Sequence, residues 1–519
     1  MPQAYVAMHH ISKRFGTVQA NDDVSMTVDR GEILAILGEN GSGKSTLVNM
    51  LSGIYVPDSG SLCINGEKRF FKSPQDAIVA GVGMVHQHFK LIPVMNGWEN
   101  ISLGEHESTP FLPKKKIIAK IKALEERFGL CIPLTKKIYD MSVSEKQTVE
   151  ILKVLYRGAS VLVLDEPTAV LTPQETTRLF SMMRAMKAGG CAIIIITHKL
   201  QEVMEISDRV TVLRKGKSLG TVHTKDTNPR ELTEWMVGGS ISLEIHREKP
   251  LPRERPLLEV RSLSLKDPQG VQILNSLSFD VFAGEILGVA GIAGSGQKEL
   301  CEIITGLRHP DAGSIRFFGE NLGSLSPRSI KKKGIRLSFI PEDRLGMGLA
   351  AGMSITDNIL LSSYDSTPGP LINRFKGRIQ AETIVSRYAI STPSVQHIVK
   401  KLSGGNIQKV LLGRELEQEP RLLITAYPVR GLDIGASYSI YDMLNAQKKR
   451  GVGVLFIGED LDVLQELCDR IMVIHRGRVM DILYPSGALG GSGVSKEDIG
   501  LLMLGHTSEL YRATHTNPV

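Results

Sequence analysis

The stretch Gly38-Glu39-Asn40-Gly41-Ser42-Gly43-Lys44-Ser45-Thr46 decides the fold. It fits the phosphate-cradling pattern G-x-x-x-x-G-K-[ST]. Its surroundings fit too: Ile33 to Leu37 is an apolar, strand-like run, and Leu47 to Gly53 reads as a helix opening. Such a turn points successive backbone N–H groups at phosphate oxygens, and the helix N-terminus adds positive potential. Lys44 would reach the β- and γ-phosphates of a nucleotide, and Ser45 would ligate Mg²⁺. The bland reading is a tight strand-to-helix turn that happens to hold a lysine; it leaves the full spacing unexplained.

Working outward, the block recurs later in the chain. Gly31-Glu32-Ile33-Leu34 returns as Gly284-Glu285-Ile286-Leu287, and at the same offset Gly38, Gly41, Ser42 and Gly43 fall on Gly291, Gly294, Ser295 and Gly296. Gly53, Pro57, Asp58 and Gly60 fall on Gly306, Pro310, Asp311 and Gly313 without a gap. The chain therefore reads as two copies of one domain, residues 1–240 and 256–506. Residues 241–255, rich in Pro, Arg and Glu, read as a linker, and 507–519 as a tail. From Pro485 the sequence is Gly/Ser-rich with one short apolar turn, and looks peripheral. Within each copy, short apolar runs such as Val161–Leu164 and Ile193–Thr197 flank helical stretches such as Gln174–Lys187. This predicts an α/β fold with a largely parallel, buried sheet in each copy.

Composition is that of an ordinary globular chain: 519 residues, 42% apolar and 23% charged, with a net charge of +7. No apolar run approaches the ~18 residues that span a bilayer, and the N-terminus shows no secretory h-region. The five cysteines are scattered and never spaced C-x-x-C, which points to a reduced cytoplasm with no disulfide framework or metal cluster. The Lys114–Lys116 and Lys331–Lys333 runs read first as solvated faces. An anionic membrane leaflet is the second option for them, and nucleic acid is not expected, since no basic stripe is interleaved with aromatics.

Copy one carries a second element suited to a phosphate site. Val161-Leu162-Val163-Leu164-Asp165-Glu166 is an apolar strand ending in two carboxylates. Asp165 can hold the Mg²⁺ shell at the strand's carboxyl end, and Glu166 is placed to polarise an attacking water. Two acids ending a strand in solvent is the alternative.

With Leu402-Ser403-Gly404-Gly405-Asn406 in copy two, close to LSGGQ, the chain resembles the tandem ATP-binding subunits of ABC importers for simple sugars and nucleosides, over nearly its whole length. The resemblance implies two fused P-loop ATPase domains, each with a helical subdomain, binding ATP and Mg²⁺. It implies that Gln87, in Val85-His86-Gln87-His88-Phe89, contacts Mg²⁺ and the attacking water, that His198 is the switch histidine, and that Phe15 stacks on adenine. It also implies two transmembrane permease subunits, an extracytoplasmic solute-binding protein, and a peripheral place on the cytoplasmic face of the membrane. Leu91 to Gly104, including Trp98, is the segment where such domains receive the permease; ordinary packing is the other reading.

The copies have lost opposite parts. Lys44, Ser45 and Thr46 fall on Gln297, Lys298 and Glu299. Lys298 is one residue late, which in a helix turns it by about 100°. Asp165, Glu166, His198 and Gln87 fall on Ala426, Tyr427, Glu459 and Glu342, and nothing aromatic matches Phe15. Conversely, copy one reads Ser142-Val143-Ser144-Glu145, without the glycines of Ser403-Gly404-Gly405-Asn406. In ABC ATPases each nucleotide lies between one domain's P-loop and the other's signature. One hydrolytic site is then expected, made from the P-loop of copy one and the signature of copy two. A soluble tandem ATPase acting on ribosomes or DNA would be expected to keep both sites and a long charged linker. An exporter is not excluded by the motifs. The phrase around Gln87 resembles the nucleoside branch more than the sugar branch; related branches serve simple sugars and flavins.

Overall fold

The computed structural model describes residues 4–86, 89–104, 114–169, 171–239, 244–249, 255–323, 325–363, 372–485 and 493–506. The chain divides into two compact units, Met1–Ser242 and Leu243–Val519. Among the described residues no helix is long and apolar enough to cross a membrane.

Each unit is built on a six-stranded sheet. In unit one the order is Lys217–His223, Arg209–Arg214, Ile33–Leu37, Ala192–Thr197, Val161–Asp165 and Val82–Val85. All neighbours are parallel except the first pair. Every residue of Ile33–Leu37 and of Ala192–Thr197 is buried. That is why these strands read as unbroken apolar runs: a sheet covered on both faces has no solvent side to alternate with. The order of the matching strands in unit two is Leu337–Ile340, Leu422–Ala426, Gly453–Ile457, Ile286–Ala290, Arg470–His475 and Arg478–Leu483.

Each unit also carries a four-stranded antiparallel sheet, formed in unit one by Val18–Val28, Val6–Phe15, Ser59–Ile64 and Glu67–Arg69. Val6, Met8 and Ile11 from it share a core with Leu34 and Ile36 of the P-loop strand, Leu47 of the helix that follows, and Ile194. Sequence reasoning missed this layer.

The repeat extends to ion pairs. Glu32 pairs with Arg209 at 3.1 Å, and Glu285 with Arg470 at 2.5 Å. Lys187 pairs with Asp208 at 2.5 Å with its side chain 35% exposed, whereas the matching Lys448–Asp469 pair, at 2.7 Å, is wholly buried. The segment following unit one makes the difference. Lys448 donates to the Glu248 carbonyl, Lys449 pairs with Glu248 at 3.3 Å, and Arg247 donates to the Glu466 carbonyl at 3.0 Å. The linker's described residues are thus bound to unit two. The apolar turn near the C-terminus is not peripheral as its composition suggested. It is a helix, Lys496–Met503, opened by a reciprocal Ser495–Asp498 cap, and it buries Ile499 and Leu502.

Candidate functional site

The loop after Ile33–Leu37 leads into the helix Lys44–Leu51, whose N-terminus no side chain caps. Its first-turn N–H groups therefore point out of the loop unclaimed by a cap, the arrangement that binds anions. Gly43 lies at φ 100, and a Cβ there would stand 2.3 Å from the Ala20 carbonyl oxygen, so only glycine can hold this turn. Lys44 is buried and folds back, donating from Nζ to the carbonyls of Gly38 at 2.6 Å and Glu39 at 2.9 Å. Burial pushes its pKa below the usual lysine value, while Glu166, Asp165 and Glu39 pull it back up. Among the described residues the buried Ser42 hydroxyl has no hydrogen-bond partner. A buried cation and an orphaned hydroxyl on one loop fit a phosphate.

Val161–Asp165 carries two acids to the carboxyl end of the sheet. Burial, and then the charge on Glu166, push the Asp165 carboxyl up to about 6, against the pull of Lys44. Such a carboxyl fits a cation, whose charge would relieve the strain; with the Ser45 hydroxyl it is the hard oxygen set that Mg²⁺ takes alongside phosphate oxygens and waters. Glu166 sits in the left-handed region at φ 45, at a cost on the order of 1–3 kcal/mol. Its Oε1 lies 3.0 Å from Nδ1 of His198, which follows the neighbouring strand Ala192–Thr197. That hydrogen bond leads in holding the Glu166 carboxyl below its ordinary range, so Glu166 is an ionised acceptor at neutral pH. Phe15 ends the strand Val6–Phe15, 43% exposed, with Tyr55 edge-on at 5.2 Å. Gln87 lies outside the described residues.

The Ser403–Asn406 turn opens the helix Gly404–Leu416, and Ser403 makes no side-chain cap to it. Instead Asn406 holds the Ser403 hydroxyl at 2.8 Å and accepts from Ser391 N–H at 2.8 Å. A Cβ on Gly405 would stand 2.9 Å from that of Ala436, so the helix start must be bare there. The matching turn in unit one is closed. The Ser142 hydroxyl accepts from Glu145 N–H at 3.2 Å, and the Glu145 carboxylate accepts from Ser142 N–H at 2.7 Å and from Lys136 Nζ at 2.8 Å. One helix N-terminus is open to an anion; the other is filled by its own carboxylate.

The ABC transporter family model matches residues 21–169 and again 274–428. The chain belongs to the ABC transporter family. A glucose import ATP-binding protein of Haloferax volcanii is 39% identical to it, covering 97% of this chain and 96% of that one. A guanosine import ATP-binding protein of Bacillus subtilis is 41% identical, covering 97% and 98%. An archaeal ribosome recycling factor, crystallised with a ribosomal stalk protein, superposes with a TM-score of 0.59 over 92% of this chain and 91% of its own; at 19% identity this shows the fold alone.

Unit two repeats the backbone of these turns with different side chains. Tyr427 repeats the left-handed geometry of Glu166 at φ 50. Gln297 turns inward as Lys44 does, donating to the Ile292 carbonyl at 3.3 Å. Lys298 points away, 69% exposed and 3.9 Å from Glu302. Glu342 and Glu459, the counterparts of Gln87 and His198, both pair with Arg430, the latter at 3.2 Å.

Sequence reading also missed a buried layer behind Glu166 and His198. Glu202 accepts from Thr168 Oγ1 at 2.5 Å and from Thr197 Oγ1 at 3.0 Å. Lone Thr and Glu residues give no signal until the fold joins them.

Proposed function

We propose that the chain is the ATP-hydrolysing subunit that energises an importer of a small solute, with nucleosides the first cargo to test. The observation that carries the ATPase reading is the Glu166–His198 pair at 3.0 Å, at the carboxyl ends of neighbouring strands in the unit that keeps Lys44. Glu166 polarises the water that attacks the γ-phosphoryl group, His198 orients Glu166 and senses that group, and Lys44 neutralises charge on the γ-phosphoryl and on the departing β-phosphate of ADP. Ser45, Asp165 and Gln87 would hold Mg²⁺, which when bound would draw charge from the phosphates. Phe15 offers its exposed ring to adenine. The loop amides of Glu39, Asn40, Gly41, Ser42, Gly43 and Thr46 surround the phosphates.

Each unit keeps what the other has lost, so one hydrolytic site per chain follows from the sequence pattern. By the head-to-tail pattern of ABC ATPases, it would draw on the Gly38–Thr46 loop and the Ser403-Gly404-Gly405-Asn406 turn. The open helix start at Ser403 and the self-capped one at Ser142 support this division.

The partners are two permease subunits and a solute-binding protein outside the membrane, with this chain peripheral on the inner face. Trp98 is buried, so it packs rather than docks; the exposed apolar side chains of that segment are Ile92, Val94 and Leu103. Import is the common element of the relatives' names. The guanosine relative favours nucleosides, and the glucose relative keeps a simple sugar as the second reading. The test is uptake into vesicles holding the complete system. Guanosine or another nucleoside should stimulate ATP hydrolysis in the presence of the binding protein. Stimulation by a simple sugar alone would transfer the assignment, and ATP-driven export would overturn it.

A further inference from the structure

We infer that Glu202 is a positioning residue for hydrolysis, a buried carboxylate that holds Glu166 and His198 in register; this rests on the ATPase reading above. Glu202 lies on the helix Leu200–Ile206 and is 8% exposed. Its two carboxylate oxygens are divided between two loops. Oε1 accepts from Thr168, two residues after Glu166, and Oε2 accepts from Thr197, the residue before His198. Lys199 balances the charge at 3.2 Å and also reaches the Thr168 carbonyl at 3.4 Å. A third strut comes from Gln147, buried on the helix Val143–Tyr156, which donates to the Pro167 carbonyl at 2.7 Å.

The position of these struts matters because Glu166 is strained. A left-handed glutamate relaxes unless the chain on both sides is fixed. The bond from Glu166 N–H to the Ile196 carbonyl, 2.9 Å, fixes one side. The Thr168–Glu202–Thr197 bridge fixes the other, and it does so on the loop that presents His198. A hydroxyl–carboxylate bridge is short and directional, so it sets the separation of the two loops more finely than apolar packing would.

Unit two provides the internal control. The counterparts of Thr168, Thr197 and Glu202 are Val429, Gly458 and Val463, none of which can form the bridge. Among the described residues neither amide atom of Gln408, the counterpart of Gln147, has a hydrogen-bond partner. The same two loops are joined there by the Arg430–Glu459 pair, at 3.2 Å and half exposed. The buried bridge is present with the acid–histidine pair and absent where that pair is gone.

The test uses the full chain in its assembled transporter. Glu202→Ala should lower kcat for ATP about 10- to 100-fold, the usual cost of removing a group that orients a reacting one, and leave KM within about twofold, because Lys44 and its loop are untouched. Glu202→Gln can still accept from one threonine and donate to the other, and should recover most of the rate. Thr168→Val removes one arm without opening a cavity and should lower kcat in the same direction, with a smaller fall in melting temperature than Glu202→Ala. Wild-type kcat in both Glu202→Ala and Thr168→Val would overturn the inference. So would a loss in Glu202→Ala that tracks a loss of ATP affinity or of melting temperature, with Thr168→Val unaffected. The wild type and Lys44→Ala separate the two layers: if the wild-type transporter hydrolyses no ATP, or Lys44→Ala hydrolyses it at the full rate, the reading of this site as the ATPase centre itself fails, whatever Glu202 does.

Discussion

Asp165→Asn should make the metal-free, nucleotide-free protein more stable while ending hydrolysis. The folded chain raises this carboxyl from 3.8 to about 6, first through burial and then through the charge on Glu166. A group whose pKa is raised on folding prefers its neutral form in the folded state. Folding therefore pays nothing for it below about pH 3.8, progressively more as pH rises toward 6, and the full cost above that. A difference of about two in pKa corresponds to about 3 kcal/mol. The carboxyl retains some solvent, which reduces the expected cost to about 1–2 kcal/mol. Asparagine keeps the shape and removes the charge. Both tryptophans of the chain, Trp98 and Trp235, lie in unit one, so tryptophan fluorescence during urea unfolding follows the unit that holds Asp165. At pH 8 the Asn variant should unfold at higher urea than wild type, and the gap should narrow by pH 5. A variant less stable than wild type at pH 8, or a gap that does not change with pH, would refute the electrostatic account of the site.

Lys448→Met should cost about 3–5 kcal/mol, because it leaves Asp469 buried without its cation, whereas Lys187→Met should cost no more than about 1 kcal/mol at a half-exposed pair. Calorimetry of the two variants measures the difference, and equal costs would mean that the linker does not seal the second pair. The full chain should bind one ATP in equilibrium dialysis, and Lys44→Ala none at the same concentration; two bound nucleotides would show that the Gln297 loop still holds phosphate. Ser142→Ala breaks a helix cap worth about 1 kcal/mol and should lower the unfolding midpoint without changing ATP turnover. A loss of turnover would mean that the unit-one turn also serves a nucleotide.

The parts of this molecule legible in the sequence are those written in local patterns. The Gly38–Thr46 loop, the Val161–Asp165 strand and the repeat could be read because each depends on a run of neighbours: glycines that a turn needs, apolar residues that a covered strand needs. The opposite losses in the two copies were legible because the repeat supplies its own alignment. The antiparallel sheet was not, since Val6–Phe15 and Val18–Val28 are long, bulged and mixed in polarity, with alternation broken by positive φ at His10 and Asp23. Nor was the closure of the unit-one signature. The lost glycines could be read, but not that the Glu145 carboxylate fills the turn, which only the capping geometry shows. Glu202 with Thr168 and Thr197 was invisible for a different reason: its meaning lies wholly in contacts across three chain segments.

The central claim is that one loop of the two handles ATP chemistry. ATP hydrolysis by the assembled transporter, measured for Lys44→Ala and Gln297→Ala side by side, tests it most directly. The account predicts a fall of at least about 10²–10³ for Lys44→Ala, the scale of losing one electrostatic stabiliser, and a rate within about twofold of wild type for Gln297→Ala. Equal losses in the two variants would contradict it.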